Sequence, residues 1–155
     1  MQRPETLWKT VWSLDDLALL MRGTFAEQLG IRFIEIGADW LSADLSVLPA
    51  QVQGVGLMQA GVALTLAEAV ATLASQMAVE AETHSVCGLD IKANHCRLLS
   101  PGETIRATAR PLYLGRQTHE WEVHIDARGG DRLVCVARLT TAIKTRAGEP
   151  VRAAA

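Results

Sequence analysis

The sequence has no CxxC pair and no even complement of cysteines; its three thiols are Cys87, Cys96 and Cys135. The common zinc and redox spacings are thereby excluded, and a reducing, cytoplasmic location is the expectation. His84, Cys87, His95 and Cys96 do fall close together, but neighbours such as His95 and Cys96 point to opposite faces of a strand. No metal site is expected from them, and the thiols read as small buried hydrophobes. An excess of charge is missing too: 15 Lys and Arg stand against 17 Asp and Glu, scattered along the chain. Nucleic acid, which wants a concentrated basic surface, is not an expected partner. Residues Met1 to Val11 lack the basic start and apolar block of a signal peptide, so export is not expected.

What is present suits one globular domain. The 155 residues are 49% hydrophobic and 21% charged, enough to bury a core without disulfides or metal. The domain is expected to span 1–145, with 146–155, small and charged, as a flexible tail. From Ser13 to Gly30 the pattern is helical, with Ser13 as N-cap, Asp15 and Asp16 in the first turn, Leu17, Leu19, Leu20, Met21 and Phe25 as the apolar set, and Gly30 as the stop. Ile31 to Ile36 and Trp40 to Leu48 alternate like strands around a Gly37-Ala38-Asp39 turn. Four further strand-like segments, Ser85 to Cys96, Thr104 to Leu114, His119 to Ala127 and Leu133 to Lys144, are separated by short turn sequences. In the last, Leu133, Cys135, Ala137, Leu139, Thr141 and Ile143 share one face.

Between these groups lies Leu57 to Val79, apolar or small almost throughout. A helix apolar all round should be buried all round. Gln59, Thr65, Glu68, Thr72, Ser75 and Gln76 interrupt it, and a carboxylate at mid-span argues against a membrane segment. The expectation is α+β: one antiparallel sheet wrapped around one long buried helix, with an additional N-terminal helix. Free sheet edges make association with a second copy reasonable.

Glu68 is the single acid between Leu57 and Val79, and its helical neighbours Leu64, Thr65, Ala71 and Thr72 offer no cation. A carboxylate withdrawn from water without a counter-ion has its pKa raised, the condition of a general base or acid near neutrality. The bland alternatives are that Glu68 reaches solvent or pairs with a distant Arg, and that Thr72 merely bonds back to the carbonyl of Glu68. At the start of the helix, Gly54, Gly56, Ala60 and Gly61 leave the backbone around Gln59 uncrowded. First-turn N–H groups there can receive a carbonyl oxygen that becomes an oxyanion, although small residues also serve tight turns. Ala60 and Glu68 are about 12 Å apart along one helix. No single carbonyl meets both, so joint action requires a second, antiparallel helix from a partner subunit.

The run Gln53-Gly54-Val55-Gly56-Leu57-Met58-Gln59-Ala60-Gly61 through Glu68 resembles the helix-start motif of hotdog-fold acyl-CoA thioesterases of the 4-hydroxybenzoyl-CoA/PaaI type. Similarity continues through Gly88 to His95, Pro111 to Gly115 and Arg138 to Ala142, and is nearest the bacterial subgroup that includes 1,4-dihydroxy-2-naphthoyl-CoA thioesterases. The resemblance implies hydrolysis of an acyl-CoA, aromatic or medium-chain, at a dimer interface, in a homodimer or a dimer of dimers. No cofactor is implied, coenzyme A being part of the substrate. By position, Glu68 would be the general base or nucleophile, the Ala60 N–H the oxyanion donor, Gln53 the residue placing thioester or water, and Thr72 the hydroxyl orienting water. Gln59, Gly61 and His95 would line the pocket; Gly88, Arg97 and the loop Tyr113, Leu114, Gly115, Arg116, Gln117 and Thr118 would hold CoA, with Arg116 suited to a phosphate. Gln59-Ala60 replaces the His-Gly usual in the family: alanine keeps the backbone donor, while glutamine donates a hydrogen bond but cannot change protonation state.

Met58, Leu64 and Trp121 are expected as pocket walls or as core. Two other functions compete with hydrolysis: a hotdog module that binds acyl-CoA without cleaving it, and a hydratase, which would resemble a histidine-bearing helix that this sequence lacks.

Overall fold

The computed structural model describes residues 6–129 and 132–146. Helix α1 (Leu14–Met21) is opened by a capping box, the Ser13 hydroxyl accepting from the Asp16 N–H while the Asp16 carboxylate accepts from the Ser13 backbone. That bonding holds the Asp16 carboxyl below its usual range. The helical stretch is then broken. Gly23, at φ +72°, turns the chain into a separate short helix α2 (Phe25–Gln28), capped by Thr24, so the single N-terminal helix expected from the sequence is two. A glycine inside an otherwise helical pattern hid the break. Gly30, at φ +80°, ends the unit as expected. Its apolar set is only partly covered: Leu17 is buried, whereas Leu19, Leu20 and Phe25 are exposed.

Strands β1 (Arg32–Ile36), β2 (Leu41–Ser46), β3 (His84–His95), β4 (Thr104–Leu114), β5 (Thr118–Ala127) and β6 (Arg132–Thr145) form one antiparallel sheet in the order β1-β2-β4-β5-β6-β3. The long helix α3 (Ala60–Met77) carries the chain from β2 across to β3 at the far edge. The inward-facing residues of β4 and β5, Ile105, Ala107, Ala109, Trp121, Val123 and Ile125, are fully buried and meet Val62, Ala63, Leu66, Ala67, Val70 and Ala74 of α3 in one core. Alanine on both sides lets helix and sheet approach closely. Trp121 and Met58 belong to this core, not to an open pocket.

Three expectations are corrected here. Helix α3 begins at Ala60 rather than Leu57, the preceding residues pairing as a bridge between Val52 and Met58. Nor is α3 buried all round. A sheet covers one side of a helix, and the stripe Gly61, Thr65, Glu68, Thr72 and Gln76, at helical spacing, faces away and is half-buried or exposed. In β6 a register shift opposite Ile125/Asp126 turns Leu133 outward and buries Val134, while Cys135, Ala137, Leu139 and Thr141 keep the expected inward face. Arg146, placed in the tail by the sequence, is tied back by its N–H to the Thr83 carbonyl and its Nε to that of His84. The rest of the expected tail lies outside the described residues.

Candidate active site

Glu68 sits at the middle of α3 on the stripe that the sheet leaves uncovered. Its Oε1 accepts a hydrogen bond from Thr72 Oγ1 at 2.8 Å. Thr72 therefore bonds the carboxylate and not, as the bland reading had it, the helix backbone; Thr65, two turns earlier, does take the backbone option, donating to the Gly61 carbonyl. Among the described residues no cation pairs with Glu68; the arginine ion pairs go to Asp39, Asp44, Glu103 and Glu122. The carboxylate is half-buried, not sequestered from water, because α2 stands over α3 without closing on it. The space between them is a groove of about 330 Å³ bounded by Met21, Thr24, Phe25, Glu68, Thr72 and Leu73. On the other side Gly88 of β3 comes close: a Cβ there would lie 3.5 Å from Glu68 Oε1. Gly88, assigned to CoA by sequence position, thus borders the carboxylate itself.

The remaining site residues fall into two further groups. At the N-terminus of α3, Gln59 is the N-cap residue and makes no side-chain capping bond. Its own N–H goes to the Gln51 carbonyl and that of Met58 to Leu99, which fixes the helix tip and leaves the Ala60 and Gly61 N–H groups without a backbone partner among the described residues. Gln53 stands beside this tip, its backbone closing a turn with Leu57 and Gly56. Gly56, at φ +77°, is required by that turn, whereas a Cβ on Gly54 or Gly61 would meet nothing within 4 Å. The tip is therefore open on its outer side.

At the opposite end, past Met77, the β4–β5 turn brings Leu114, Gly115 and Arg116 beside Lys9, Glu80 and His84 around a cavity of about 470 Å³. Tyr113 packs against Gly115, and the Gln117 carbonyl accepts from the Ile143 N–H. Thr118 closes the turn by accepting from the Gly115 N–H. Lys9 had no signal in the sequence; it is placed by its N–H bonding to the Met77 carbonyl at the end of α3 and by Trp8 Nε1 bonding to Gly37 O. Two residues do not join any of these groups. His95, the last residue of β3, and Arg97, two residues past it, are exposed, and His95 lies roughly 23 Å along the strand from Gly88 at about 3.3 Å per residue.

Sequence reasoning also missed a buried polar cluster. Ser75 Oγ lies 2.7 Å from His119 Nδ1 and 2.7 Å from Thr141 Oγ1. Burial pushes the His119 pKa down, against a hydrogen bond to the Gly115 backbone that pulls it up. A serine beside a histidine invites a nucleophilic reading, but Ser75 is 0% exposed, so no thioester reaches it. The cluster clamps α3 to β5, β6 and the β4–β5 turn.

Residues 56–133 match the family model described as the thioesterase superfamily. The chain is 38% identical over 138 residues to the 1,4-dihydroxy-2-naphthoyl-CoA hydrolase of Escherichia coli, covering 88% of this chain and 98% of that one. The chain belongs to the thioesterase superfamily. Another relative, the proofreading thioesterase EntH of Cronobacter turicensis, is 35% identical over 88% of this chain and 98% of its own. Among solved structures, a thioesterase from Haemophilus influenzae superposes with a TM-score of 0.85 at 35% identity, covering 90% of this chain and 96% of that one. Membership identifies the wrapped sheet and helix as the hotdog fold and the protein as a thioester hydrolase, and it sets aside the non-catalytic and hydratase alternatives.

Proposed function

We propose that the protein hydrolyses an acyl-CoA, its acyl part aromatic or medium-chain, and that Glu68 is the catalytic carboxylate. The observation that carries the reading is a half-buried carboxylate, bonded to one hydroxyl and paired with no cation among the described residues, on the floor of an apolar groove. Glu68 takes a proton from a water molecule held by Thr72; the resulting hydroxide attacks the thioester carbonyl, and the tetrahedral intermediate collapses to the carboxylic acid with CoA thiolate leaving. Direct attack by Glu68, giving a mixed anhydride that water then opens, uses the same geometry.

The oxyanion needs donors that this subunit's groove does not supply, since Ala60 is about 12 Å from Glu68 along the helix. A partner subunit supplies them if two copies join through β3, a twelve-residue edge strand with one unpaired side. The Ala60 N–H of the partner subunit would then polarise the carbonyl, with Gln53 and Gln59 beside it, in a dimer or dimer of dimers. The cavity bearing Lys9 and Arg116 lies about 15 Å beyond Glu68 along α3, a span suited to the pantetheine arm, and its cations suit the CoA phosphates. The mechanism calls on no metal, and a reducing cytoplasm is the setting it assumes for three free thiols.

Glu68→Gln is the decisive variant, assayed for thiol release over a panel of aroyl- and acyl-CoA esters. It should fold normally and lose at least a hundredfold in kcat; wild-type turnover would reject the assignment.

A further inference from the structure

Two cavities meet at a single side chain. The groove over Glu68, about 330 Å³, is at the lower end of the range for ligand pockets, roughly 300–1,000 Å³, so it holds an acyl group of limited size. A second cavity, about 660 Å³, lies beneath α1 against β1, with Leu14, Ala18, Leu29, Ile31 and Phe33 in its wall. Met21 lines both.

The backbone at Met21 is fixed. Its carbonyl accepts from Thr24 N at 3.1 Å and from Thr24 Oγ1 at 2.6 Å. The intervening Gly23 holds its left-handed conformation with its N–H bonded to Glu27 Oε2 at 2.6 Å. The side chain is unbranched and rotates about three bonds, so it can fill the junction or swing out of it. Asp15, Glu27 and Arg32 also line the second cavity, but Glu27 is engaged with Gly23. The wall is otherwise mostly apolar, which suits an uncharged hydrocarbon tail and not a second carboxylate or phosphate.

We propose that Met21 is a specificity-determining gate: an acyl group that fits the Glu68 groove stops against it, and a longer aliphatic tail displaces it and runs into the cavity beneath α1. The proposal rests on Glu68 marking the reacting end of the substrate. It makes the substrate class extensible: the reacting carbonyl is fixed while the tail length is limited by one flexible side chain.

The test is kcat/KM along two series, saturated acyl-CoAs from butanoyl to hexadecanoyl and benzoyl-CoAs with a 4-alkyl tail of increasing length. Ala18→Trp fills the second cavity from an exposed helix position, where folding is little affected. It should lower kcat/KM for the longest tails at least tenfold and leave the shortest unchanged. Met21→Ala should raise the ratio of long to short by about tenfold, since each methylene newly covered by apolar surface contributes roughly fourfold; Met21→Leu should keep the wild-type profile. If Met21→Ala fails to fold, Ala18→Trp decides alone. Length profiles unchanged in Ala18→Trp and Met21→Ala overturn the gate. Run alongside, Glu68→Gln separates the two readings: an inactive Glu68→Gln with unchanged length profiles removes only the gate, while turnover in Glu68→Gln removes the catalytic assignment beneath it.

Discussion

Gly88 leaves the carboxylate of Glu68 uncovered: a methyl group at its α-carbon would stand 3.5 Å from Oε1 and 3.9 Å from Leu139 Cδ1. Both are ordinary contact distances, and Gly88 does not have a positive φ. Gly88→Ala should therefore fold with an unchanged or slightly raised Tm, since alanine has less freedom to lose on folding. It should nonetheless lower kcat by roughly 10- to 100-fold, because the methyl takes the place of the water or carbonyl that must approach Glu68. Steady-state kinetics beside a thermal melt separate the outcomes; full activity would mean that the reacting group approaches from the α2 side.

His119 gives the fold a pH dependence whose sign is fixed by its burial. Its folded-state pKa is depressed below the usual 6.5, so as pH falls below that value the unfolded chain takes up a proton that the folded chain refuses. Stability from this group is complete above the unfolded pKa and is lost as pH falls toward the folded one. The neighbouring cavity carries Lys9, Arg116, His84 and Glu80. Thermal melts between pH 8 and 5 should show Tm dropping on the acid side, and His119→Asn, which keeps an acceptor for Ser75 but does not titrate, should flatten that drop. An equal slope in the variant would assign the acid sensitivity to other groups.

The three thiols should differ in reactivity although none is disulfide-bonded. Cys135 is 0% exposed on the inward face of β6, and burial pushes its pKa up to about 11. Cys96 is exposed just beyond β3. With iodoacetamide at pH 8, mass spectrometry should find Cys96 modified first and Cys135 modified only when the protein unfolds, because the thiolate is the reacting species. Early labelling of Cys135 would mean that β6 opens in the native state.

How far the sequence discloses this molecule depends on which interaction fixes each part. Glu68 is visible because an acid in an apolar helix is locally anomalous, and Ser13 with Asp15 and Asp16 because capping is a short-range matter. The exposed stripe on α3 is not visible: Ala69 outside and Ala67 inside are the same residue, and only the sheet distinguishes them. Met21 reads as one more apolar residue of a helix, since its proposed role comes from two cavities that only the folded chain brings to it. His119 finds Ser75 and Thr141 through the pairing of β5 with β6 beneath α3, a relation that no spacing announces.

The proposed sharing of a site between two copies can be tested by a substitution that removes the Ala60 N–H. Ala60 is the first residue of α3, where proline is tolerated because the N–H has no intrahelical partner and the fixed φ suits the helix. Gln59 before it already has φ −65° and ψ 129°, the extended conformation that a following proline demands. Ala60→Pro should therefore fold and associate normally while losing the oxyanion donor, with kcat down roughly 100- to 1,000-fold. Mixed with Glu68→Gln under conditions that exchange subunits, it should recover activity. In each mixed dimer one site combines an intact Glu68 with the intact Ala60 of the partner subunit, and statistical pairing gives about a quarter of wild-type turnover. Two inactive proteins that stay inactive after proven exchange would mean that Glu68 of one chain and Ala60 of another do not share a site, and the interface mechanism would have to be abandoned.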